Sequence, residues 1–193
     1  MNKVKLLGVS LLVLGFLSGC SNQQAQNNNQ ISSQVSSQKN QKTLPEFKVS
    51  VAEAIAFYQA KYPNTDLTNL ELEKELDHYV YKVEGADDNT EYEVKFDAND
   101  KKIYHEKSER LDYDEQNGIK RKEDKLDLTN LLDLKTVMQT ALKEATSGEF
   151  ESLELNKELA TTYYEVNFKN YQQEISVKLN AKDGTILEKE IDD

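Results

Sequence analysis

Apolar and polar residues follow a helical period and then an alternating period, and this succession occurs twice along the chain. A helical stripe is predicted in each half. Its members are Val51, Ala54, Ile55, Tyr58 and Tyr62 in the first half, and Leu134, Val137, Met138, Ala141 and Ala145 in the second.

Residues typical of helix ends flank both stripes. Ser50 and Glu53 have the spacing of a capping box, and Asp133 is a candidate N-cap for the second helix. Pro63-Asn64 and Ser147-Gly148 are expected to end the two helices.

The pattern after each helix predicts antiparallel strands with one wet face. In the first strand, Leu70, Leu72 and Leu76 point one way and Glu71, Glu73 and Glu75 the other. Later strands are predicted over 79–83, 92–96 and 102–106, and in the second half over 164–168, 175–179 and 185–189.

The two halves match without a gap at an offset of 83 residues. The stretch LELEKELDHYVYKV, which begins at Leu70, has its near copy LELNKELATTYYEV at Leu153. We therefore predict an α+β fold of two repeated units, each one helix packed on an antiparallel three- to four-stranded meander. Units of this size are near the lower limit for independent stability, so we expect them to touch.

The N-terminal residues have the pattern of a bacterial lipoprotein signal. Lys3 and Lys5 precede the apolar run 6–17, and small residues lead to Gly19 and Cys20. The prediction is a signal peptide at 1–19, cleaved between Gly19 and Cys20, with the lipid on Cys20. The alternative is a plain secretory signal followed by an accidental cysteine, but Cys20 is the single cysteine of the chain.

The rest of the chain divides by composition. Residues 20–44 are rich in Gln, Asn and Ser and are expected to form a disordered tether. The predicted domains are 45–107 and 132–193, separated by a charged linker at 108–131. That linker is either a hairpin extension or a mobile connection.

The negative charge argues against nucleic-acid partners. The formal charge is −11, and removing the two lysines of the signal makes it −13. Such a surface repels phosphate. Membrane attachment is therefore expected through acyl chains and not through a basic patch.

The strand residues resemble the PepSY domain. The first copy carries this resemblance in Tyr81-Lys82-Val83 and in 92–98, and the second in Tyr164-Glu165-Val166 and in 175–187. It covers most of the range from Val49 to Glu190. Lys101 is a departure, because it stands where the second copy has the turn glycine.

PepSY domains occur in propeptides of thermolysin-like peptidases and in many bacterial surface or secreted proteins. The resemblance implies an α+β fold and a role in inhibiting or regulating peptidases outside the cytoplasm. It implies no catalytic residues, and fold alone does not fix function.

Few residues suggest chemistry. His78 and His105 have no ligand partner at a suitable spacing and are expected to be solvated. Asp112, Asp114, Gln116 and Glu123 resemble a calcium loop, but its glycine is displaced to Gly118, so we expect a charged connector. We predict no enzyme activity, no metal and no cofactor.

Acidic residues recur on the outward face of the first strand of each copy. They are Glu71, Glu73, Glu75, Glu154 and Glu158. One interpretation is a solvated face that discourages edge pairing, and the other is a docking surface for a basic partner. Tyr113, Tyr163 and Tyr171 are further candidates for exposed recognition residues.

The leading hypothesis is a non-enzymatic lipoprotein, exported and lipid-anchored to the outer face of the cell membrane, that binds protein partners and restrains an extracellular peptidase. The rival is a small-ligand or ion-binding lipoprotein that serves a transporter or sensor. The rival predicts a concave pocket between helix and sheet or between the two units. A third option is an envelope spacer.

Overall fold

The second half of the molecule repeats the helix and strands of the first half. The computed structural model describes residues 44–145 and 147–192. The predicted signal peptide, its cleavage site, Cys20 and the tether up to residue 43 lie outside these residues. The elements are α1 Val51–Lys61, β1 Asp66–Glu75, β2 His78–Ala86, β3 Thr90–Asp97, β4 Ile103–Arg110, α2 Ile119–Asp124, α3 Leu134–Glu144, β5 Glu149–Glu158, β6 Thr161–Lys169, β7 Glu174–Asn180 and β8 Ile186–Asp192.

The bounds of the equivalent elements keep the offset of 83 residues seen in the sequence. It relates α1 to α3, β1 to β5 and β2 to β6 at both ends. The two repeats and the mixed helix and sheet content are therefore confirmed.

Local signals explain where the two repeat helices begin. Ser50 accepts a hydrogen bond from the Glu53 amide, and the Glu53 carboxylate accepts one from the Ser50 amide, so the predicted capping box is present. Asp133 accepts from the Thr136 amide at 3.0 Å and caps α3 as predicted.

All eight strands join one antiparallel sheet in the order β4-β3-β2-β1-β5-β6-β7-β8. The repeats meet where β1 pairs with β5, over Leu70–Glu73 and Ser152–Leu155. We call this contact the seam. Glu71 is paired with Glu154 at its centre, and these two residues are also equivalent in the duplication. The seam therefore has an approximate two-fold axis through this pair.

The core lies on one side of the sheet, under α1 and α3. Leu70 and Leu72 of β1, Leu153 and Leu155 of β5 and the inward residues of both helices belong to one buried cluster. The four leucines are 0% exposed. The hydrophobic core is therefore continuous across the seam and shared by both repeats.

One buried tyrosine in each repeat fixes the chain just before the repeat helix. The Tyr81 hydroxyl donates to the Val49 carbonyl at 2.9 Å, and the Tyr164 hydroxyl donates to the Leu132 carbonyl at 3.2 Å. Because these contacts are equivalent at the offset of 83, the duplication includes the positioning of the helices.

Leu76 corrects one prediction from alternation. It was expected on the buried face, but it is 93% exposed and lies in the turn after β1 with φ of 55°. Leu159 repeats this arrangement with φ of 54° and the same exposure. A left-handed backbone at this position ends the strand and turns the side chain to solvent.

Lys101 adopts the conformation of the turn glycine that it replaces. Its φ is 61°, and that of Gly184 in the second copy is 74°. The hairpin geometry is therefore kept in both copies, with a lysine in the left-handed region in the first.

The segment between the two repeats packs on the first one. Arg121 of α2 contacts Asp66 at 2.9 Å and Asp88 at 2.7 Å, and the Leu126 amide donates to the Leu67 carbonyl. Residues 119–126 are thus held against β1 and the end of β2.

Candidate functional site

The face of the sheet opposite the helices carries all five predicted acidic residues. We call it the open face. The buried pattern of β1 and β5 places Leu70, Leu72, Leu153 and Leu155 in the core. Strand alternation then turns Glu71, Glu73, Glu75, Glu154 and Glu158 to the open face.

Lys95 of β3 holds two of these carboxylates. Its Nζ lies 2.9 Å from Glu75 Oε1 and 3.2 Å from Glu73 Oε1. The hydrogen bond to Glu75, with help from Glu73, raises the pKa of Lys95 to about 12. Glu73 and Glu75 are therefore partly neutralised within the sheet.

The two carboxylates at the centre of the seam differ in their surroundings. Glu154 Oε1 accepts hydrogen bonds from Asn69 Nδ2 at 2.5 Å and from Asn156 Nδ2 at 2.9 Å. The residue equivalent to Asn156 beside Glu71 is Glu73, another acid. Burial, followed by the charge of Glu73, raises the pKa of Glu71. At the centre of the open face, Glu71 therefore lies beside a second carboxylate, whereas Glu154 is hydrogen-bonded to two side-chain amides.

The far end of β5 extends this acidic region. Glu158 is exposed near Tyr163, whose pKa is raised by burial and by the charges of Glu165, Glu154 and Glu158. The expectation that Tyr163 is exposed is wrong, since only 9% of it is accessible and Lys178 lies over its ring at 5.7 Å. Tyr113 and Tyr171 are exposed.

An apolar groove lies on the helix side, between the residues before α1 and helix α3. Its volume is about 700 Å³. The apolar lining is Leu44, Pro45, Phe47, Val49, Leu134, Met138 and Leu142, and Glu46 and Asp133 stand among the polar residues. The size falls within the ~300–1,000 Å³ range of small-molecule sites.

A second groove occupies the equivalent position against α1 and has a different lining. It measures about 470 Å³ and is lined by Lys122, Lys125 and Lys157 as well as by Asp66 and Asp127. Lys125 contacts Asp66 at 2.8 Å, and Asp127 contacts Lys182 at 2.5 Å. Of the three lysines that line this groove, Lys125 pairs with an acid and Lys157 donates to the Glu123 carbonyl.

Neither groove was predicted as a specific set of residues. The apolar pair Leu44 and Phe47, just before the first helix, was a possible signal, because side chains of that kind need a partner. Which helix would supply that partner depends on the seam, and the sequence pattern does not encode the seam.

Each of the two histidines lies beside an acidic residue. His78 Nδ1 is 3.3 Å from Asp77, and His105 Nε2 is 3.9 Å from Glu93. Over 44–145 and 147–192, no group of three or more His, Cys, Asp or Glu side chains is arranged to hold a metal ion. Asp112 and Asp114 lie in the exposed turns between β4 and α2.

The PepSY family, described as "Peptidase propeptide and YPEB domain", matches residues 48–103 and 132–190. The chain belongs to the PepSY family. The matched ranges include both repeat helices and most of the strands, so the recognition of two PepSY domains is confirmed.

A crystal structure of a putative lipoprotein from Clostridium difficile 630 is similar to this PepSY protein. The two chains are 38% identical with a TM-score of 0.73, and the match covers 77% of this chain and 96% of that one. No curated protein matches. Among the helices of the described ranges, none has the length and apolar character needed to cross a membrane.

Proposed function

We propose that this PepSY protein is a non-enzymatic lipoprotein that is anchored through Cys20 to the outer face of the cell membrane and binds protein partners with its open face. The partner that the family description favours is an extracellular peptidase, which the protein restrains. The acidic open face carries the proposal. The proposed location outside the cell is supported by the family and by the similar chain described as a putative lipoprotein.

The mechanism is steric and electrostatic. A sheet of eight strands presents carboxylates that belong to a chain of formal net charge −13 once the two signal lysines are removed, so it attracts a basic surface over a distance set by ionic strength. Once docked, the sheet covers the partner's cleft. Binding then requires no chemistry from this chain.

The test compares two variants of equal charge. In the first, Glu71, Glu73 and Glu75 become Gln. In the control, the exposed acids Asp112, Asp114 and Glu123 become Asn, Asn and Gln. The wild-type chain and the control should recover a peptidase from cell-envelope extract and inhibit secreted proteolysis, and the open-face variant should do both more weakly. If wild type recovers no peptidase and inhibits nothing, the proposal fails.

The anchor has its own test. Replacing Cys20 with Ser removes the predicted lipid site and should release the protein from the membrane fraction into the medium. Labelling with a palmitate analogue should mark wild type and not Cys20→Ser. A wild-type protein that is unlabelled would overturn the anchor and leave the binding proposal standing.

The apolar groove supports a second candidate function, a lipoprotein that binds a small ligand or ion for a transporter or sensor. A thermal-shift screen with metabolites and metals tests it, since a ligand at a hundred times its dissociation constant adds ~2.7 kcal/mol of stability. Filling the groove by Leu142→Trp should abolish the shift. The open-face variant should keep it.

A further inference from the structure

The sheet ends in two exposed strands, β4 and β8. The strand order places them at opposite edges, and every residue of both strands is exposed. An edge strand presents backbone groups that can pair with an added strand. Since the two edges are equivalent in the duplication, their side chains can be compared position by position.

The open-face side chains of the two edges differ in charge. Cross-strand pairing to β3 and β7 identifies them. They are His105, Lys107 and Glu109 on β4, and Glu188, Glu190 and Asp192 on β8. With histidine neutral, these three open-face side chains sum to zero on β4 and to −3 on β8, and Lys189 on the helix side brings the whole of β8 to −2.

The open-face charges of β4 are balanced by contacts within the first repeat, whereas those of β8 are balanced only in part. Lys107 pairs with Glu109, and His105 faces Glu93. On β8, Lys178 contacts Glu188 at 3.0 Å, but Asp192 lies opposite another acid, Glu174. The outer end of β8 therefore has negative charge that its own sheet does not neutralise.

The helix-side positions of β8, read from their pairing with β7, are two aliphatic residues and one lysine: Ile186, Lys189 and Ile191. Ile191 pairs with the buried Ile175 and is 49% exposed. Its counterpart on β4 is Ser108. Ile186 and Leu187 at the start of β8 are 36% and 49% exposed. A strand added to β8 would meet acids on the open face and, on the helix side, Ile186 and Ile191 on either side of Lys189, whose Nζ donates to the Glu144 carbonyl at 2.7 Å.

We infer that β8 is the docking edge of the protein, and that it accepts an extended segment of a partner in which Lys or Arg alternates with an aliphatic residue. This rests on the proposed function and names the chemistry of the partner segment. Opposite charges across adjacent strands stabilise pairing, and like charges oppose it. For the same reason, β8 of a second copy is disfavoured as the occupant.

A synthetic peptide tests the inference directly. Fluorescence anisotropy measures the binding of labelled Lys-Val-Lys-Val-Lys-Val-Lys to the purified chain from residue 20 onward. Two control peptides are used: one with Glu in place of Lys, and one with alternate backbone amides N-methylated. Both controls should bind at least about tenfold more weakly, because the first loses charge pairing and the second loses backbone donors.

A reciprocal exchange locates the site. Glu188→His, Glu190→Lys and Ile191→Ser give β8 the residues of β4, and this variant should lose about tenfold in peptide affinity. His105→Glu, Lys107→Glu and Ser108→Ile give β4 the residues of β8, and that variant should gain a second binding edge. Circular dichroism and thermal unfolding check that each variant folds. If the triple β8 variant does not fold, the single variant Glu190→Lys replaces it.

Three results of the peptide experiments would overturn the inference. They are equal affinity for the methylated peptide, unchanged affinity after the β8 exchange, and concentration-dependent self-association through β8 that excludes the peptide. A β8 variant that still captures and inhibits a peptidase would also refute this docking edge while the proposed function stands. If the open-face variant no longer captures a peptidase but binds the peptide normally, the open face and β8 are separate binding surfaces.

Discussion

Truncating one leucine at the seam should weaken both repeats. Leu72 of β1 is 0% exposed and belongs to the core that continues into the second repeat. Leu72→Ala removes buried methyl groups and leaves a cavity, which costs about 3 kcal/mol in sites of this kind. For a domain of this size, the melting temperature should fall by roughly 10 °C.

Hydrogen exchange shows whether the loss is shared. A loss of about 3 kcal/mol speeds exchange through global unfolding by about a hundredfold. Leu72→Ala should therefore accelerate the slowest amides of β6, in the other repeat, as much as those of β2. Leu155→Ala, the equivalent change in β5, should accelerate the slowest amides of β2 as much as those of β6.

The control is the same substitution a few residues along the chain. Leu76 is 93% exposed, so Leu76→Ala should change stability by less than about 0.5 kcal/mol. Two separate unfolding transitions, or β6 amides that keep wild-type rates in Leu72→Ala, would show that the repeats fold independently. The two repeats would then not share one cooperative core.

Three further predictions concern single residues. Tyr81→Phe removes the donor to the buried Val49 carbonyl and should cost about 1–3 kcal/mol in urea unfolding, so an unchanged midpoint would contradict that contact. Lys101→Gly removes the strain of a left-handed backbone, which is about 1–2 kcal/mol. Glycine's extra entropy in the unfolded chain offsets ~0.5–1 kcal/mol of this gain. It should raise stability by up to ~1.5 kcal/mol, whereas Gly184→Ala should lower it in the same melts. For Glu71, the raised pKa means that the folded state holds the proton more tightly, so stability is lost as the pH rises from below about 4.5 through the folded pKa. Glu71→Gln should stabilise the protein at pH 7, with the gain shrinking near pH 4, and a gain independent of pH would refute the assignment.

The order of elements in each repeat was predictable because its signals are local. The helical stripe, the capping box at Ser50 and the alternation around Leu70 depend on residues a few positions apart. The same alternation placed the five acids on one face. The partners of these acids were not predictable, because Lys95, Asn69 and Asn156 are brought to them only by the register of the sheet.

The errors have the same origin. Leu76 continues the apolar alternation, and only the positive φ of the turn shows that the strand has ended. Tyr163 lies on the open face as its position in β6 requires, but Lys178 of the neighbouring strand covers it. The seam itself has no signature in the sequence, since β1 could have been left as an edge.

The two-fold character of the seam has a consequence for proteins that carry a single PepSY repeat of this kind. Glu71 meets its own counterpart, so the surface that joins the halves is self-complementary, as in an isologous homodimer. One half alone would leave its first strand without a lateral partner and should associate with an identical molecule. The tandem chain is then the covalently linked form of such a pair. After fusion the sequence of each half can change independently, and the different charges of β4 and β8 are an example.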